Sequence, residues 1–219
     1  MTPRLVVFDM DGTLIDSQAA IVRAMETASA ELGVAYPGRE ATLGIVGLSL
    51  RDAVAALFPS ETPDKIDEIT EAYADFFITQ RAAGKEQSEL FDGAMAVVEA
   101  LSTRDEIILG VATGKARRGL EHALDKFDLR RHFFTTQSAD EHPSKPHPSM
   151  LDACVRESGC AAETAVMIGD TSFDIDMGRA AGYRTIAVDW GYHDAGALGA
   201  DHHVHDFPEL LRVIEEMSA

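Results

Sequence analysis

The sequence has few cysteines and no long hydrophobic run. Cys154 and Cys160 are its two cysteines, and their spacing is not Cys-x-x-Cys. Two thiols without a metal-binding spacing predict no disulfide framework and indicate a reducing compartment. No stretch reaches the roughly 18 consecutive apolar residues that a membrane-spanning helix needs. The first residues also lack the apolar segment of a signal peptide. We therefore expect a cytoplasmic protein that is not embedded in a membrane.

Positive charge is scarce as well. The chain has 19 lysines and arginines against 37 aspartates and glutamates, which gives a formal net charge of −18. Such a chain repels phosphate backbones and anionic lipid surfaces. The densest basic cluster is Lys115, Arg117 and Arg118, which we interpret as the first turn of an ordinary helix. We expect neither nucleic-acid nor membrane binding, although a bound cation can still attract a small anionic substrate.

Short apolar runs rich in β-branched residues alternate with helical patterns along much of the chain. The runs, which predict buried parallel strands, are residues 5–8, 107–112, 165–169 and 185–188. The helical patterns cover residues 94–102, 117–127, 148–158 and 172–181. This alternation predicts an α/β fold with a doubly wound parallel sheet. Because ligands bind at the carboxyl ends of the strands in such sheets, the loops after the strands are the candidate sites.

Residues 17–88 interrupt this alternation, because their apolar residues recur with helical periodicity and no strand pattern is convincing. Within this stretch, the glycine-containing residues 38–50 predict a loop. A helical insertion directly after the first strand indicates a small separate domain. We therefore expect an α-helical cap domain over residues 16–88, and a discontinuous core formed by residues 1–15 and 89–219.

The first predicted strand ends in two closely spaced acids, Asp9 and Asp11. Gly12 then permits a tight turn. A calcium-binding loop also begins Asp-x-Asp, but it needs glycine at its sixth position and an acid at its twelfth. Leu14 and Ala20 stand at those positions here, so the calcium interpretation fails. Two carboxylates this close together need a cation between them or beside them.

The third predicted strand is followed by Asp170 and, four residues later, Asp174. If the first and third strands are parallel neighbours, Asp170 reaches the same sheet edge as Asp9. Crowded carboxylates have raised pKa values unless a divalent cation holds them, and oxygen-only ligation suits Mg²⁺. Taken alone, Asp170 would be a helix cap and Asp174 a solvated acid. Next to Asp9 and Asp11, they favour a magnesium site.

Two further loops carry groups that suit an anion. Thr113 and Gly114 end the second predicted strand, where a hydroxyl and backbone N–H groups before a helix form an anion-binding corner. The segment is not a Walker A loop, because Ala116 replaces the required serine or threonine. Lys145 stands in the proline-flanked segment SKPHP. A lysine is usually solvated, but this one is held rigidly, and we expect it to be the buried counter-charge.

Four stretches together carry a family resemblance: DMDGT (residues 9–13), Thr113, Lys145 and GDTSFD (residues 169–174). In their order and spacing they resemble the four motifs of the haloacid dehalogenase superfamily. The helical insertion after the first motif resembles that family's α-helical cap, so the resemblance covers the whole chain. It implies a Rossmann-like core with an inserted cap.

The resemblance also implies catalytic roles. Asp9 would be the nucleophile that forms an aspartyl-phosphate. Asp11 would donate a proton to the leaving alcohol and later accept one from water. Thr113 and Gly114 would hold the phosphoryl oxygens. Lys145 would neutralise charge on the nucleophile and the bound phosphate.

The cofactor implied by the resemblance is Mg²⁺. Its ligands would be the Asp9 carboxylate, the backbone carbonyl of Asp11 and the Asp170 carboxylate. Asp174 would support them without ligating the ion. The partner would be a small phosphorylated metabolite, and the sequence leaves the oligomeric state undetermined.

Differences from subfamily patterns narrow the expected activity to hydrolysis of a small phosphate monoester. Asp11 argues against a 2-haloacid dehalogenase, because a halide leaving group needs no proton. Leu50 stands where phosphonatases carry a lysine, and Gly169 where β-phosphoglucomutases carry an acid. The segments GLSLRDAV, VDWGYH and DFPELL look most like phosphoglycolate phosphatases or pyrophosphatases. A phosphomutase and an inorganic pyrophosphatase stay as alternatives, and a dehalogenase or a non-catalytic binding protein is less favoured.

The residues that would select the substrate are expected around 16–22 and 44–51. Arg51 or Arg23 would pair with a substrate carboxylate if the substrate were phosphoglycolate. The ordinary interpretation of each is a solvated arginine on a helix, and we favour it.

Overall fold

The computed structural model of the protein describes residues 3–218. Its strands are β1 (Arg4–Phe8), β2 (Ile15–Asp16), β3 (Glu89–Leu90), β4 (Ile107–Thr113), β5 (Thr135–Ser138), β6 (Val166–Gly169), β7 (Arg184–Val188) and β8 (His202–Val204). Its helices are α1 (Gln18–Leu32), α2 (Arg39–Leu43), α3 (Leu50–Leu57), α4 (Pro63–Ala82), α5 (Ala94–Ser102), α6 (Arg117–Lys126), α7 (Ser149–Ser158), α8 (Ser172–Ala180) and α9 (Phe207–Ser218). Across these described residues, no helix combines the length and the apolar character needed to cross a membrane.

Six parallel strands form the main sheet, in the order β5-β4-β1-β6-β7-β8. β1 lies in the middle, with Phe8 opposite Val111 of β4 on one side and Ile168 of β6 on the other. The four predicted strands are confirmed, and the first and third are parallel neighbours, which is the condition for Asp170 to reach the same sheet edge as Asp9. The sequence pattern missed β5, because its residues TTQS are polar although three of the four are buried.

Helices cover both faces of the sheet, as a doubly wound fold requires. Successive side chains of β1 point to opposite faces. Val6 and Phe8 pack into one buried apolar cluster with residues of α5, α6 and α9. Leu5 and Val7 pack into another with residues of α7 and α8. Burial on both faces explains why the strand sequences are continuously apolar rather than alternating.

The helices α1 to α4 form an insertion between β2 and β3, which pair as short antiparallel strands. The insertion has its own buried apolar cluster, formed by Met25, Val54, Phe58, Ile66 and Ile69. This cluster is separate from those of the sheet, as expected for a helical cap on a Rossmann-like core.

The expectation of a loop over residues 38–50 is wrong in part. The described structure contains the short helix α2 within that stretch, and α3 begins at its last residue. Residues 39–43 (REATL) include good helix formers, which the flanking glycines obscured. The remaining loop is residues 44–49.

Candidate active site

The strand topology brings three predicted site residues to one edge of the sheet. Asp9 follows β1, Thr113 ends β4 and Asp170 follows β6. The Asp9 backbone N–H donates to the Ile168 carbonyl at 2.9 Å, so the β1–β6 pairing continues to the site. All three side chains are buried. This edge is the carboxyl end of neighbouring parallel strands, where α/β sheets bind ligands.

Lys145 is a fully buried cation between two carboxylates. It lies in the loop between β5 and α7, and its Nζ donates to Asp9 Oδ1 at 2.7 Å and to Asp174 Oδ1 at 2.6 Å. Burial disfavours the ammonium, but Asp174 and Asp9 outweigh that effect and raise the pKa of Lys145 above its usual value. A buried charge is tolerated only with such partners. The expected counter-charge is therefore present.

Asp170 is held by hydrogen bonds from two directions. Thr13 Oγ1 donates to its Oδ1 at 2.9 Å, and the Tyr192 backbone N–H donates to its Oδ2 at 2.9 Å. Gly12 makes room for this carboxylate, because a Cβ at that position would lie 2.3 Å from Asp170 Oδ2. Its φ of +90° is also one that L-residues rarely adopt. The tight turn predicted after Asp9 therefore lets the Asp170 carboxylate lie close to the backbone of Gly12.

Asp174 lies in the first turn of α8 and contacts the site through Lys145. Thr171 is the N-cap residue of this helix, and its hydroxyl donates to Asp174 Oδ2 at 2.7 Å. Because Lys145 donates to the other oxygen, both oxygens of Asp174 already accept hydrogen bonds. Asp174 is completely buried, so the solvated-acid interpretation is excluded. The helix cap is Thr171 rather than Asp170.

The donor set fits a hard divalent cation. Carboxylate oxygens of Asp9, Asp170 and Asp174 lie within 4.8 Å of one another. Burial raises the pKa of Asp9 to about 7; Lys145 opposes this rise and Asp174 adds to it. Burial, together with Asp174 and Asp9, raises the pKa of Asp170 well above its usual value. Asp9 Oδ2 is buried without a hydrogen-bond partner among the described residues. An unpaired carboxylate oxygen in an oxygen-only set suits a hard divalent cation.

The Asp11 carboxylate lies outside that three-carboxylate group and has different partners. Ser17 Oγ donates to its Oδ1 at 2.6 Å, and Lys115 Nζ lies 2.8 Å from its Oδ2. Sequence reasoning missed Ser17 and placed Lys115 in the first turn of a helix. Lys115 in fact precedes α6, which begins at Arg117, and the described structure pairs it with Asp11. Its position directly after a strand-end Thr-Gly was the signal that could have identified it.

A cavity of about 180 Å³ opens onto these groups. Asp9, Asp11, Thr113 and Gly114 line its core side. A Cβ on Gly114 would lie 2.3 Å from the carbonyl oxygen of Gly47, so glycine allows the 44–49 loop to pack against the strand end. The structure thus brings Thr113 and Gly114 to the two acids.

Arg51 and Arg23, the two arginines considered as partners of a substrate carboxylate, do not line this cavity. Arg51 Nε pairs with Asp67 Oδ1 at 2.7 Å, and both side chains are about 54% exposed. Arg23 Nη1 donates to Gln87 Oε1 at 3.2 Å on the surface. The guanidinium-bearing residues that line the cavity are instead Arg81 and Arg118, neither of which the sequence indicated.

Comparisons with known proteins give the family. The family model described as "Haloacid dehalogenase-like hydrolase" matches residues 6–188. A Dickeya dadantii protein named "Probable phosphatase IndB" is 32% identical over 90% of this chain and 85% of its own length. A Pseudomonas savastanoi protein named "Phosphoglycolate phosphatase" is 28% identical over 97% of this chain and 79% of its own length.

A solved structure has the same fold over nearly its whole length. The haloacid dehalogenase-like hydrolase from Streptococcus pneumoniae superposes with a TM-score of 0.82 at 26% identity, covering 96% of this chain and 98% of its own. The resemblance inferred from the four motifs is therefore confirmed, and this chain belongs to the haloacid dehalogenase-like hydrolases.

Proposed function

We propose that this hydrolase is a phosphatase that cleaves a small phosphate monoester, with Mg²⁺ as its cofactor and Asp9 as its nucleophile. The observation that carries the proposal is the environment of Asp9. One of its oxygens is fixed by Lys145, the other has no partner among the described residues, and the residue lines the cavity. The names of the relatives support a phosphatase, and the oxygen-only donor set supports the metal.

In the proposed reaction, Asp9 attacks phosphorus, a bond from its oxygen to phosphorus forms, and the bond to the leaving alcohol breaks. Asp11 lines the same cavity and gives its proton to the departing oxygen. Asp11 then takes a proton from a water molecule that attacks the aspartyl-phosphate. Inorganic phosphate leaves and Asp9 is restored.

The remaining residues position the reacting groups and neutralise their charge. The Thr113 hydroxyl and the amide of Gly114 bind phosphoryl oxygens, and Lys145 favours the ionised form of Asp9 and orients it. Asp9, the Asp11 backbone carbonyl and Asp170 would hold Mg²⁺, with Asp174 in support. When bound, the ion supplies charge neutralisation for the phosphoryl group. Most of the catalysis is then positioning and electrostatic stabilisation.

The proposed domain division assigns residues 16–88 to the cap, with residues 1–15 and 89–219 as the core. In one contact across the division, the Ser49 backbone N–H donates to Ser144 Oγ at 2.8 Å. Tyr192 Oη similarly accepts from the Ser17 backbone N–H at 3.2 Å. A cap held this way excludes bulk water during phosphoryl transfer. The proposed partner is a small phosphorylated metabolite in the cytoplasm.

The test is release of inorganic phosphate by the purified protein from a panel of phosphorylated metabolites. Phosphoglycolate, pyrophosphate, sugar phosphates and nucleoside monophosphates belong on the panel. We expect release with Mg²⁺, loss of release with EDTA and recovery when Mg²⁺ is restored. Activity that survives EDTA would refute the metal requirement.

The alternatives have different products. A phosphomutase would convert a sugar phosphate to an isomer, seen by phosphorus NMR, without free phosphate. A pyrophosphatase would cleave pyrophosphate but spare the monoesters. A dehalogenase would release chloride from 2-chloropropionate without Mg²⁺.

A further inference from the structure

We propose that the leaving group of the substrate is an apolar or aromatic alcohol rather than a short carboxylated one. This inference rests on the proposed phosphatase function and narrows it. It starts from the cap side of the cavity, which we call the apolar chamber. Its principal wall residues are Ile21, Met25, Val46, Leu50, Tyr73 and Phe77.

The chamber wall is a continuous surface built with helical periodicity. On α4, cavity-lining residues recur at positions 73, 74, 77, 78 and 81, which is one face of a helix. Ile21 and Met25, four residues apart on α1, face the same space and are almost fully buried. The 44–49 loop adds Ile45, Val46 and Leu48. An apolar wall formed by three segments binds an apolar part of a substrate through the hydrophobic effect rather than through charge.

The charges of the site do not suit a second anionic group on the substrate. Asp9 and Asp11 line the core side of the cavity, and Lys115 is already paired with Asp11. Of the two lining arginines, Arg81 already faces the opposite charge of Glu86 at 3.8 Å, although its buried Nε has no hydrogen-bond partner among the described residues. Arg118 is exposed to solvent, where an ion pair contributes little. A carboxylate on the leaving group would lose its hydration against an apolar wall.

The size of the chamber points in the same direction. The cavity measures about 180 Å³. An apolar protein cavity of about 150 Å³ holds a benzene molecule. The core side of this space has to hold the phosphoryl group. In the remaining space on the cap side, a ring or a chain of several carbons reaches the apolar wall, whereas a two-carbon acid such as glycolate makes few apolar contacts.

The first test is a series of methyl, butyl and hexyl phosphates, whose leaving alcohols have similar basicity, compared with phosphoglycolate. We expect kcat/KM to rise about fourfold per added methylene until the chamber is full, the factor that corresponds to ~0.8 kcal/mol per buried CH₂. Phosphoglycolate should be a poorer substrate than butyl phosphate. No dependence on chain length, or a preference for phosphoglycolate, would overturn this inference and leave the phosphatase proposal intact. No phosphate release from any ester would instead refute the phosphatase proposal.

The second test fills the chamber. Ala74 lines the cavity, whereas Ala82 is exposed near the end of the same helix, so Ala74→Phe and Ala82→Phe form a matched pair. We expect the hexyl-to-methyl ratio of kcat/KM to fall at least tenfold in Ala74→Phe and to stay unchanged in Ala82→Phe. Equal ratios in both variants would overturn the inference.

A third variant covers the case in which Ala74→Phe fails to fold. Ile78 lines the cavity but is 36% exposed, so the fold tolerates a charge there. Ile78→Glu should lower the same hexyl-to-methyl ratio, with thermal melting used to show that the protein is folded. An unchanged ratio in the folded variant would contradict the apolar chamber.

Discussion

The two sides of the cavity differ in physical character. On the core side, Lys145 joins Asp9 to Asp174, and all three are withdrawn from water. On the cap side the wall is apolar, and charged cap residues such as Arg51 pair at the surface. Buried charges tolerate few substitutions because each one leaves a partner uncompensated, whereas apolar walls accept many residues of similar volume. Substitutions on the core side should therefore lower the reaction rate with every substrate. Substitutions on the cap side should instead change which substrate is preferred.

The largest expected effect is that of Asp9→Asn, which removes the proposed nucleophile but keeps the size of the side chain. Turnover of p-nitrophenyl phosphate should fall by a factor on the order of 10⁴ or more, as when other covalent nucleophiles are removed. Asp176→Asn is the control, because Asp176 is exposed on α8 and lies 3.5 Å from Arg179. Near-normal turnover by Asp9→Asn would show that the nucleophile is another residue.

Asp11→Asn separates proton transfer from phosphoryl transfer. The first turnover of butyl phosphate should slow by about 10²–10⁴-fold, because its leaving alcohol needs a proton. With p-nitrophenyl phosphate, the first p-nitrophenolate should still leave quickly, since it is a weak base. A burst followed by slow turnover is expected in rapid-mixing experiments. Equal slowing of both first turnovers would contradict the proton-donor role.

Lys145→Met and Lys115→Met compare a fully buried ammonium with a partly exposed one. The Lys145 side chain is 0% exposed and that of Lys115 is 21% exposed. Loss of a buried partner should lower the free energy of unfolding by about 3–5 kcal/mol. Loss of Lys115 should cost less than this, because its ion pair with Asp11 is partly accessible to water. Urea unfolding with chelator present measures both, and equal losses would remove the distinction between the two lysines.

The smallest expected effect is a pH dependence of the metal-free protein. Because burial raises the pKa of Asp9 to about 7 from 3.8, the metal-free folded state holds this proton between those two pH values, where the unfolded state has lost it. The stabilisation that Asp9 contributes is fully present below its pKa in the unfolded state. It is lost as the pH rises through its pKa in the folded state. The melting temperature with chelator should therefore fall between pH 5 and pH 8, and less steeply in Asp9→Asn.

Added Mg²⁺ supplies the matching control for the pH experiment. A cation held by ionised carboxylates should raise the melting temperature more at pH 8 than at pH 5. If the melting temperature of the wild type changed with pH as steeply as that of Asp9→Asn, Asp9 would not titrate in this range.

Much of the core was predictable, because hydrophobic periodicity and strand burial are properties of short segments. The helix Ala94–Ser102 agrees with its predicted bounds, and β1, β4, β6 and β7 agree within a residue. The strand Thr135–Ser138 was not predictable from its polar residues. Its burial depends on partners distant in sequence, including the Glu157 carboxylate that accepts from Thr135 Oγ1.

The candidate site was predictable where motifs placed acids at strand ends, and not where long-range pairing decided a partner. Asp9 and Asp170 follow adjacent parallel strands, whereas the alternation of strands and helices gave only that the strands are parallel and left their order open. The pairing of Lys115 with Asp11 depends on how the loop after β4 meets the turn after β1. The roles proposed for these residues stay predictions.

The sequence by itself determined the fold class and the order of the acidic and basic groups along the chain. Local patterns of burial and turn chemistry are sufficient for that. The tertiary structure decided which of those groups share a low-dielectric environment, since electrostatic interactions depend on distance and burial rather than on position in the chain. It also decided that the cap wall is apolar and that Arg51 and Arg23 lie outside the cavity, because a helix pattern does not specify which neighbour its apolar face meets.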